Sequence, residues 1–295
     1  MVTVGVALPQ FVAGPSDLDD IRAYVARADE LRLHSVWTLE QPVDRFDVLD
    51  PLVAMTVAAT VPGRLGLGVA VLLAAARNPL LLARQLASIQ HLSRGRVVAG
   101  LGVGEFAGVY DAAGIPFASR DARMDEVVSL LRMLFAEDEV TFAGRFLNYY
   151  GPGVRPRTEP VPLWFGAKGP RSLRRAALRG DGWIGAGSSS VDDFANHVTA
   201  LRGMNRALPI AKRVYLHVSD KRAEARKKLH DFFSSFYANP DLADSVGVGG
   251  DADFCAARLR EVVDAGAGLL ILNSTCDWST QLELIVDEVI PRIRR

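Results

Sequence analysis

The chain has 295 residues, 34 of them lysine or arginine and 34 aspartate or glutamate, so its formal net charge is zero and no global field draws it to nucleic acid or an anionic membrane. Two cysteines, Cys255 and Cys276, are too few and too far apart in sequence for a disulfide scaffold or a metal knuckle, which fits a reducing cytosol and a cytoplasmic location. The start MVTVGVALPQF lacks the pattern of a secretory leader, and no apolar run escapes charge long enough to span a bilayer, so the sequence reads as a soluble protein.

A strand over residues 2–8 opens the chain, followed by a loop of Pro9 and Gly14-Pro15, then a helix capped by Ser16 with Ile21, Tyr24, Val25, Ala28 and Leu31 at helical spacing. A strand over 35–39 leads through EQPVDRFDVLDP to a helix near 52–60. Strands over 65–73 and 97–101 precede helices over 79–91 and 121–135, and a smaller β excursion, VTFAGRFLNYYG, precedes the loop PGVRPRTEPVP. Then follow strand 163–166, helix 171–178, strand 182–186, helix 191–207, strand 213–218, helical segments from Lys221, strand 269–272 and a final helix. Such alternation demands a mostly parallel sheet covered by helices. An open doubly wound sheet and a closed barrel both satisfy it, but eight repeats in roughly 250 residues is the economy of the barrel. The expected fold is one α/β domain over 1–295, a (β/α)8 TIM barrel with inserted loops at its C-terminal face, the stretch 149–162 among them.

Chemistry in a barrel sits on the loops after the strand ends. These are Pro9-Gln10, Glu40-Gln41, residues 70–77, residues 102–105, residues 167–171 and residues 185–190. The segment GAKGPRSLRRAALRGDGW is the most legible. Gly166 and Gly169 admit close approach of backbone amides, Pro170 suits a helix start, and Lys168 and Arg171 add charge at that end, which together describe an anion site for phosphate. Arg174, Arg175 and Arg179 lie beyond the first turn and are read as a solvated face.

Glu40 and Glu105 stand at the ends of strands two and four, where desolvation would fit a glutamate for acid–base work; the bland alternative is two surface carboxylates. The run VAGLGVGEFA matches G-x-G-x-x-A at Gly102, Gly104 and Ala107, but Gly108, Gly114 and Pro116 follow where a phosphate-binding helix would begin, so a dinucleotide loop is not expected. The histidines, His34, His91, His197, His217 and His230, show no metal-ligand spacing and are read as structural or exposed, with no metal. Ser190 is read as a helix cap, and Trp37, Trp164 and Trp183 as packing residues.

The passages VGVALPQF, ADELRLHSVWTLEQ, DPLVAMTVAATVPGRLGLGVAVLL, RNPLLLARQLASIQHLSRGRVVAGLGVGE, GIPFASRDARMDEVVSLLRMLF, PVPLWFGAKGPRSLRRAALRGDGWIG and DAGAGLLILN occur in order over nearly the whole chain. In that order they resemble the luciferase-like (β/α)8 flavoproteins, in particular the group of coenzyme F420-dependent oxidoreductases. The resemblance implies a deazaflavin or flavin across the barrel mouth, with its phosphate after strand five and a non-prolyl cis peptide at Ala70-Val71 behind the ring. The residues it assigns to the cofactor are Gln41, Ala70, Val71, Gly102, Gly104, Gly166, Ala167, Lys168, Gly169 and Arg171, with Glu105 and Glu40 as candidates for the proton.

Where such relatives read Asp-His after strand two, this chain has Glu40-Gln41, so an acid–base histidine is absent there. F420 is the expected cofactor and FMN the alternative, since Lys168, Arg171 and the loop arginines Arg155 and Arg157 suit a phosphodiester with a carboxylate-rich tail. Hydride transfer to or from a small organic substrate is expected. The alternatives are reduced-FMN monooxygenation and a non-catalytic carrier. The loops 106–120, 149–162 and 237–250 are expected to wall the pocket, and a homodimer is implied, with the Ala-, Leu- and Val-rich helices after strands two and three as interface material.

Overall fold

The structure, a computed structural model, describes residues 2–12, 17–41 and 47–294; the expected Gly14-Pro15 turn, the cap at Ser16 and residues 42–46 of the loop after strand two lie outside the described residues. The strands β1 (Thr3–Ala7), β2 (Ser35–Thr38), β3 (Gly66–Leu73) and β4 (Val97–Gly102) are separated by α1 (Asp17–Glu30), α2 (Pro51–Thr60) and α3 (Pro79–Leu92). A short helix α4 (Ala107–Ala112), the long α5 (Arg120–Ala136) and the antiparallel pair β5 (Glu139–Ala143) and β6 (Asn148–Pro152) follow. Alternation resumes with β7 (Leu163–Gly166), α6 (Pro170–Arg179), β8 (Gly182–Gly185), α7 (Val191–Met204) and β9 (Ile210–Val218). The last part runs through α8 (Arg222–Tyr237), α9 (Leu242–Ser245), β10 (Val248–Gly250), α10 (Ala252–Asp264) and β11 (Leu269–Ser274) to α11 (Trp278–Leu284) and α12 (Ile290–Ile293).

Parallel ladders run β11-β1-β2-β3-β4-β7-β8-β9 and return from β9 to β11, closing an eight-stranded (β/α)8 barrel. β10 is an addition. It pairs with the upper end of β9, from Val248↔Leu216 to Gly250↔Val218, whereas β8 pairs with the lower end, from Trp183↔Ile210 to Gly185↔Lys212.

Successive side chains of a strand face opposite ways, so each barrel strand serves two cores. Leu270 and Leu272 join the large belt between strands and helices, while Leu269 and Ile271 pack inside with Trp37, Ala70, Ile184 and Ala211. Glycine makes room for the indoles: a Cβ at Gly68 would lie 2.2 Å from Trp37, and one at Gly182 would lie 2.3 Å from Trp164. The Trp37 indole N–H donates to Ser35 Oγ at 2.8 Å, as a buried indole requires.

Helix starts are set by side-chain caps at Asp50, Asn78, Ser190 and Asp251, each accepting from a first-turn amide. The cap expected at Ser190 is therefore present. A helix absent from the sequence reading occurs at α4; it lasts only six residues and gives way to Gly114 at φ +66°, a left-handed position that suits glycine. β9 begins at Ile210, three residues before the expected start, because Lys212 lies within the strand with its Nζ hydrogen-bonded to Ser189 rather than flanking it. Among the described residues no helix is long and apolar enough to cross a membrane.

Candidate active site

The floor of the barrel mouth is made where β3, β4 and β7 end. The register between β3 and β4 shifts between Val69 and Leu72, and the Ala70-Val71 peptide bond inside that bulge is cis, as the resemblance implies. Val71 lies against bare backbone: a Cβ on Gly102 would stand 2.4 Å from its Cγ2, and one on Gly166 would stand 3.0 Å from its Cγ1. Glycine at those two places makes room for the Val71 side chain, which fills the space a Cβ would take. Gly104, at φ +66°, turns the chain away after β4. Beneath this floor Arg213 donates to the Ala70 carbonyl at 2.7 Å and to the Tyr215 hydroxyl at 2.6 Å, and that hydroxyl meets the Tyr237 hydroxyl at 3.0 Å.

Glu105 and Lys168 meet across the edge of the floor, with Lys168 Nζ 3.7 Å from Glu105 Oε1. The Glu105 side chain is 82% exposed, so the desolvation considered from sequence is absent in the free chain. Ala167 is buried, and its carbonyl accepts from the Trp183 indole at 3.0 Å, which fixes the start of the loop. Gly169 precedes Pro170 at the head of α6, and no side chain caps that end. Its first-turn amides and positive dipole end lie beside Lys168, an arrangement suited to an anion.

Arg171 departs from the expected role. Its guanidinium pairs with Asp125 on α5 at 2.8 Å. The solvated reading of its neighbours also needs correction: Arg175 is buried and bonds Asp125 at 2.5 Å and Asp121 at 3.3 Å, and Arg179 donates to the Asp125 carbonyl at 3.2 Å and to Ser129 Oγ. One face of α6 is thus an ionic seam against α5, drawn by carboxylates some 50 residues earlier in the chain. Arg155 and Arg157 are likewise taken, by Asp138 at 3.0 and 2.9 Å, so neither stands free for a cofactor tail.

Glu40 is committed elsewhere. One carboxylate oxygen accepts from the Leu73 amide at 2.5 Å and the other from Arg77 at 2.5 Å, which locks the end of β3 to the loop after β2. With both oxygens occupied, Glu40 is a positioning residue for the bulge rather than a free acid or base. Gln41 follows it, half-buried. Gln10 is buried too, bonding Leu39 through both its amide atoms at 2.9 Å and so tying the first loop to the second.

The sequence reading missed the polar contents of β9. Lys212 is buried, and its ammonium donates to the carbonyls of Ala186 and Ser189 at 2.5 and 2.8 Å and to Ser189 Oγ at 2.7 Å. Burial pushes it down to about 7, with the charges of Arg213 and Lys168 adding to the shift. Tyr215 anchors an aromatic face of α8, with ring centroids at 5.0 Å to Phe232 and 5.3 Å to Phe233. Phe11, after β1, stacks at 6.3 Å on Trp278 and meets Phe236 at 6.1 Å. A usable signal existed in IAKRVYLHV, because a parallel strand buried on both faces ordinarily reads as an unbroken apolar run.

A closed parallel barrel with these loops gathered at the C-terminal ends of its strands, beside an uncapped helix start, defines the class of α/β-barrel enzymes. The sequence model of the luciferase-like monooxygenase family matches residues 2–262, and the chain belongs to that family. An F420-dependent glucose-6-phosphate dehydrogenase of Kineococcus radiotolerans is 34% identical over 181 residues, 58% of this chain and 53% of that protein, about half its length. One of the same name from Amycolatopsis mediterranei is 27% identical over an alignment of 337 residues, covering 100% of this chain and 99% of the relative. Among solved structures, an F420-dependent secondary alcohol dehydrogenase in complex with an F420–acetone adduct superposes with a TM-score of 0.87 at 18% identity, over 100% of this chain and 99% of the other. The monooxygenase RslO1 of Streptomyces bottropensis gives a TM-score of 0.84 at 23% identity, over 98% and 99%. At those identities the structural likenesses concern the fold.

Proposed function

We propose that the chain is an oxidoreductase that transfers a hydride between coenzyme F420 and a small organic substrate. The observation that carries this reading is the uncapped head of α6 with Lys168 beside it, at the edge of the mouth where Val71 packs on Gly102 and Gly166. An anionic group of a cofactor fits where amides and an ammonium converge, with its ring against Val71. Two relatives named as F420-dependent enzymes, one aligned over the whole chain, direct the choice of cofactor. When bound, the deazaflavin supplies a hydride donor or acceptor that does not activate dioxygen.

The chain's own residues then have distinct tasks. Gly166, Ala167, Lys168 and Gly169 hold the phosphate end, with Arg171 joining only by giving up part of its bond to Asp125. Ala70, Val71, Gly102 and Gly104 shape the surface under the ring, and Gln41 stands at its margin. Glu105 handles the proton. In the free chain Lys168 lies close enough to share its charge with that carboxylate, and an anion drawing Lys168 away would leave the carboxylate to act as base.

On this reading the protein is a single-domain, cytoplasmic enzyme with no nucleic-acid partner, and it acts as a homodimer. The last point draws support from the apolar surface of α1 and α2, where Leu18 is 54% and Val53 58% exposed. The family's description as monooxygenases favours a second reading, with reduced FMN and dioxygen.

Titration of the purified protein with F420 and with FMN, followed by turnover under strict anaerobiosis, separates the two. F420 is expected to bind the tighter and turnover to proceed without oxygen. Tighter binding of FMN together with an oxygen requirement would sink the hydride reading. Stoichiometric F420 binding with no oxidation or reduction by any of a panel of enones, imines and ketones would favour a carrier.

A further inference from the structure

The upper ends of β9 and β11 bring together three donor atoms that the reading above does not use. The last rung between these strands, Leu216↔Ser274, leaves His217 one residue beyond it on β9 and Cys276 two residues beyond it in the loop after β11. His217 Nδ1 lies 3.7 Å from Cys276 Sγ, which lies 3.3 Å from Asp277 Oδ2, and the three ligand atoms all fall within 4.8 Å of one another. We propose that His217, Cys276 and Asp277 form a binding site for one divalent transition-metal ion, zinc by its donor set.

The geometry fits. With zinc bonds of about 2.3 Å to sulfur and about 2.0–2.1 Å to nitrogen or oxygen, tetrahedral ligands stand about 3.3–3.6 Å apart. The observed spacings of 3.7 and 3.3 Å bracket that range, and the third, between His217 and Asp277, is within 4.8 Å, so small side-chain shifts would close the set on one ion. An imidazole, a thiolate and a carboxylate make a borderline-soft set, which suits zinc over magnesium or calcium. His217 is buried, Cys276 half-buried and Asp277 exposed, so the ligands grade from the barrel wall to its rim.

Two further observations point to a cation. His217 and Asp277 line a cleft of about 860 Å³ whose wall also carries Asp220, Glu224 and Asp251 against Lys221, with Arg292 already paired to Asp253 and Glu288, so acids outnumber cations there. An ammonium already stands beside the cluster: Lys228 Nζ lies 3.6 Å from Asp277 Oδ2, a counter-charge that a bound metal ion would replace. Three protein ligands leave one tetrahedral position for a water molecule. On coordination the Cys276 thiol proton leaves for solvent, so binding weakens as pH falls. Spacing rules applied to the sequence miss the site because its ligands come from β9 and from the loop after β11, 59 residues apart.

The test uses the full chain, freed of metal by dialysis against a chelator and titrated with zinc against a chromophoric competitor. One zinc per chain is expected. Cys276→Ala and His217→Gln should each weaken it by more than about 100-fold, since even residues that only support metal ligands are worth 10- to 100-fold. Cys255→Ala, at a cysteine buried elsewhere in the fold, should leave affinity unchanged. Cobalt added to the unaltered chain should show a thiolate charge-transfer band, a readout that needs no variant to fold. Equal zinc affinity in the Cys276 variant, or cobalt binding without the thiolate band, would overturn the site. Either result leaves the F420 reading intact, because the two sites share no residue.

Discussion

Lys212 shows how far a single side chain can depart from what its type suggests. Its ordinary value is 10.5, and burial brings the folded chain's group down to about 7. Between those two values unfolding takes up a proton, so this group's contribution to stability rises with pH by at most about 1.4 kcal/mol per unit. Below pH 7 both states are protonated and the cost of burial is fully present. Lys212→Met should flatten the slope of stability between pH 7 and 10, read as urea midpoints across that range. Glu105 carries a different expectation: Glu105→Gln should lower kcat on the order of 100-fold while barely changing F420 affinity, and unchanged turnover would remove it from the mechanism. Glu105 and Lys168 were legible in sequence because strand ends and helix starts announce themselves locally. Glu40 was legible as a place but not as a role, since its partners Leu73 and Arg77 are 33 and 37 residues away.

At the scale of elements, the contact between α5 and α6 rests on Arg175, whose side chain is only 3% exposed between Asp121 and Asp125. Partial burial would raise the Asp125 carboxyl, but the hydrogen bonds from Arg175 and Arg171 outweigh it and hold the group below its usual range. A depressed carboxyl stabilises the fold above its unfolded value of 3.8 and loses that contribution as pH falls through the folded value. Arg175→Ala should therefore cost about 3 kcal/mol at neutral pH, at the low end for a broken buried pair because Asp125 keeps some water. It should also reduce acid sensitivity below about pH 4, both visible in denaturant melts. Helical spacing alone could not distinguish Arg175 from Arg174, because what separates them is a helix on another strand-helix unit.

For the whole molecule, the eightfold alternation and the barrel it implies were legible because strand and helix periods differ and parallel strands require crossovers. Closure was read from the economy of eight repeats, whereas the rungs that make it, between β8 and β9, leave no mark in composition. The homodimer reading is tested at this scale: Val53→Asp on the exposed apolar face of α2 should shift a dimer to monomer by light scattering while leaving cofactor binding per chain unaltered. The forked pairing of β9 has a mechanical meaning as well. One edge of that strand is shared, by β8 low down and by β10 above. The barrel is thus closed at its base by β8 and built up at its brim by β10. β10 rides on β9 through its own rungs, and α8 before it is held by Tyr215 packed on Phe232 and Phe233, so this wall of the opening is braced on the same strand that closes the hoop.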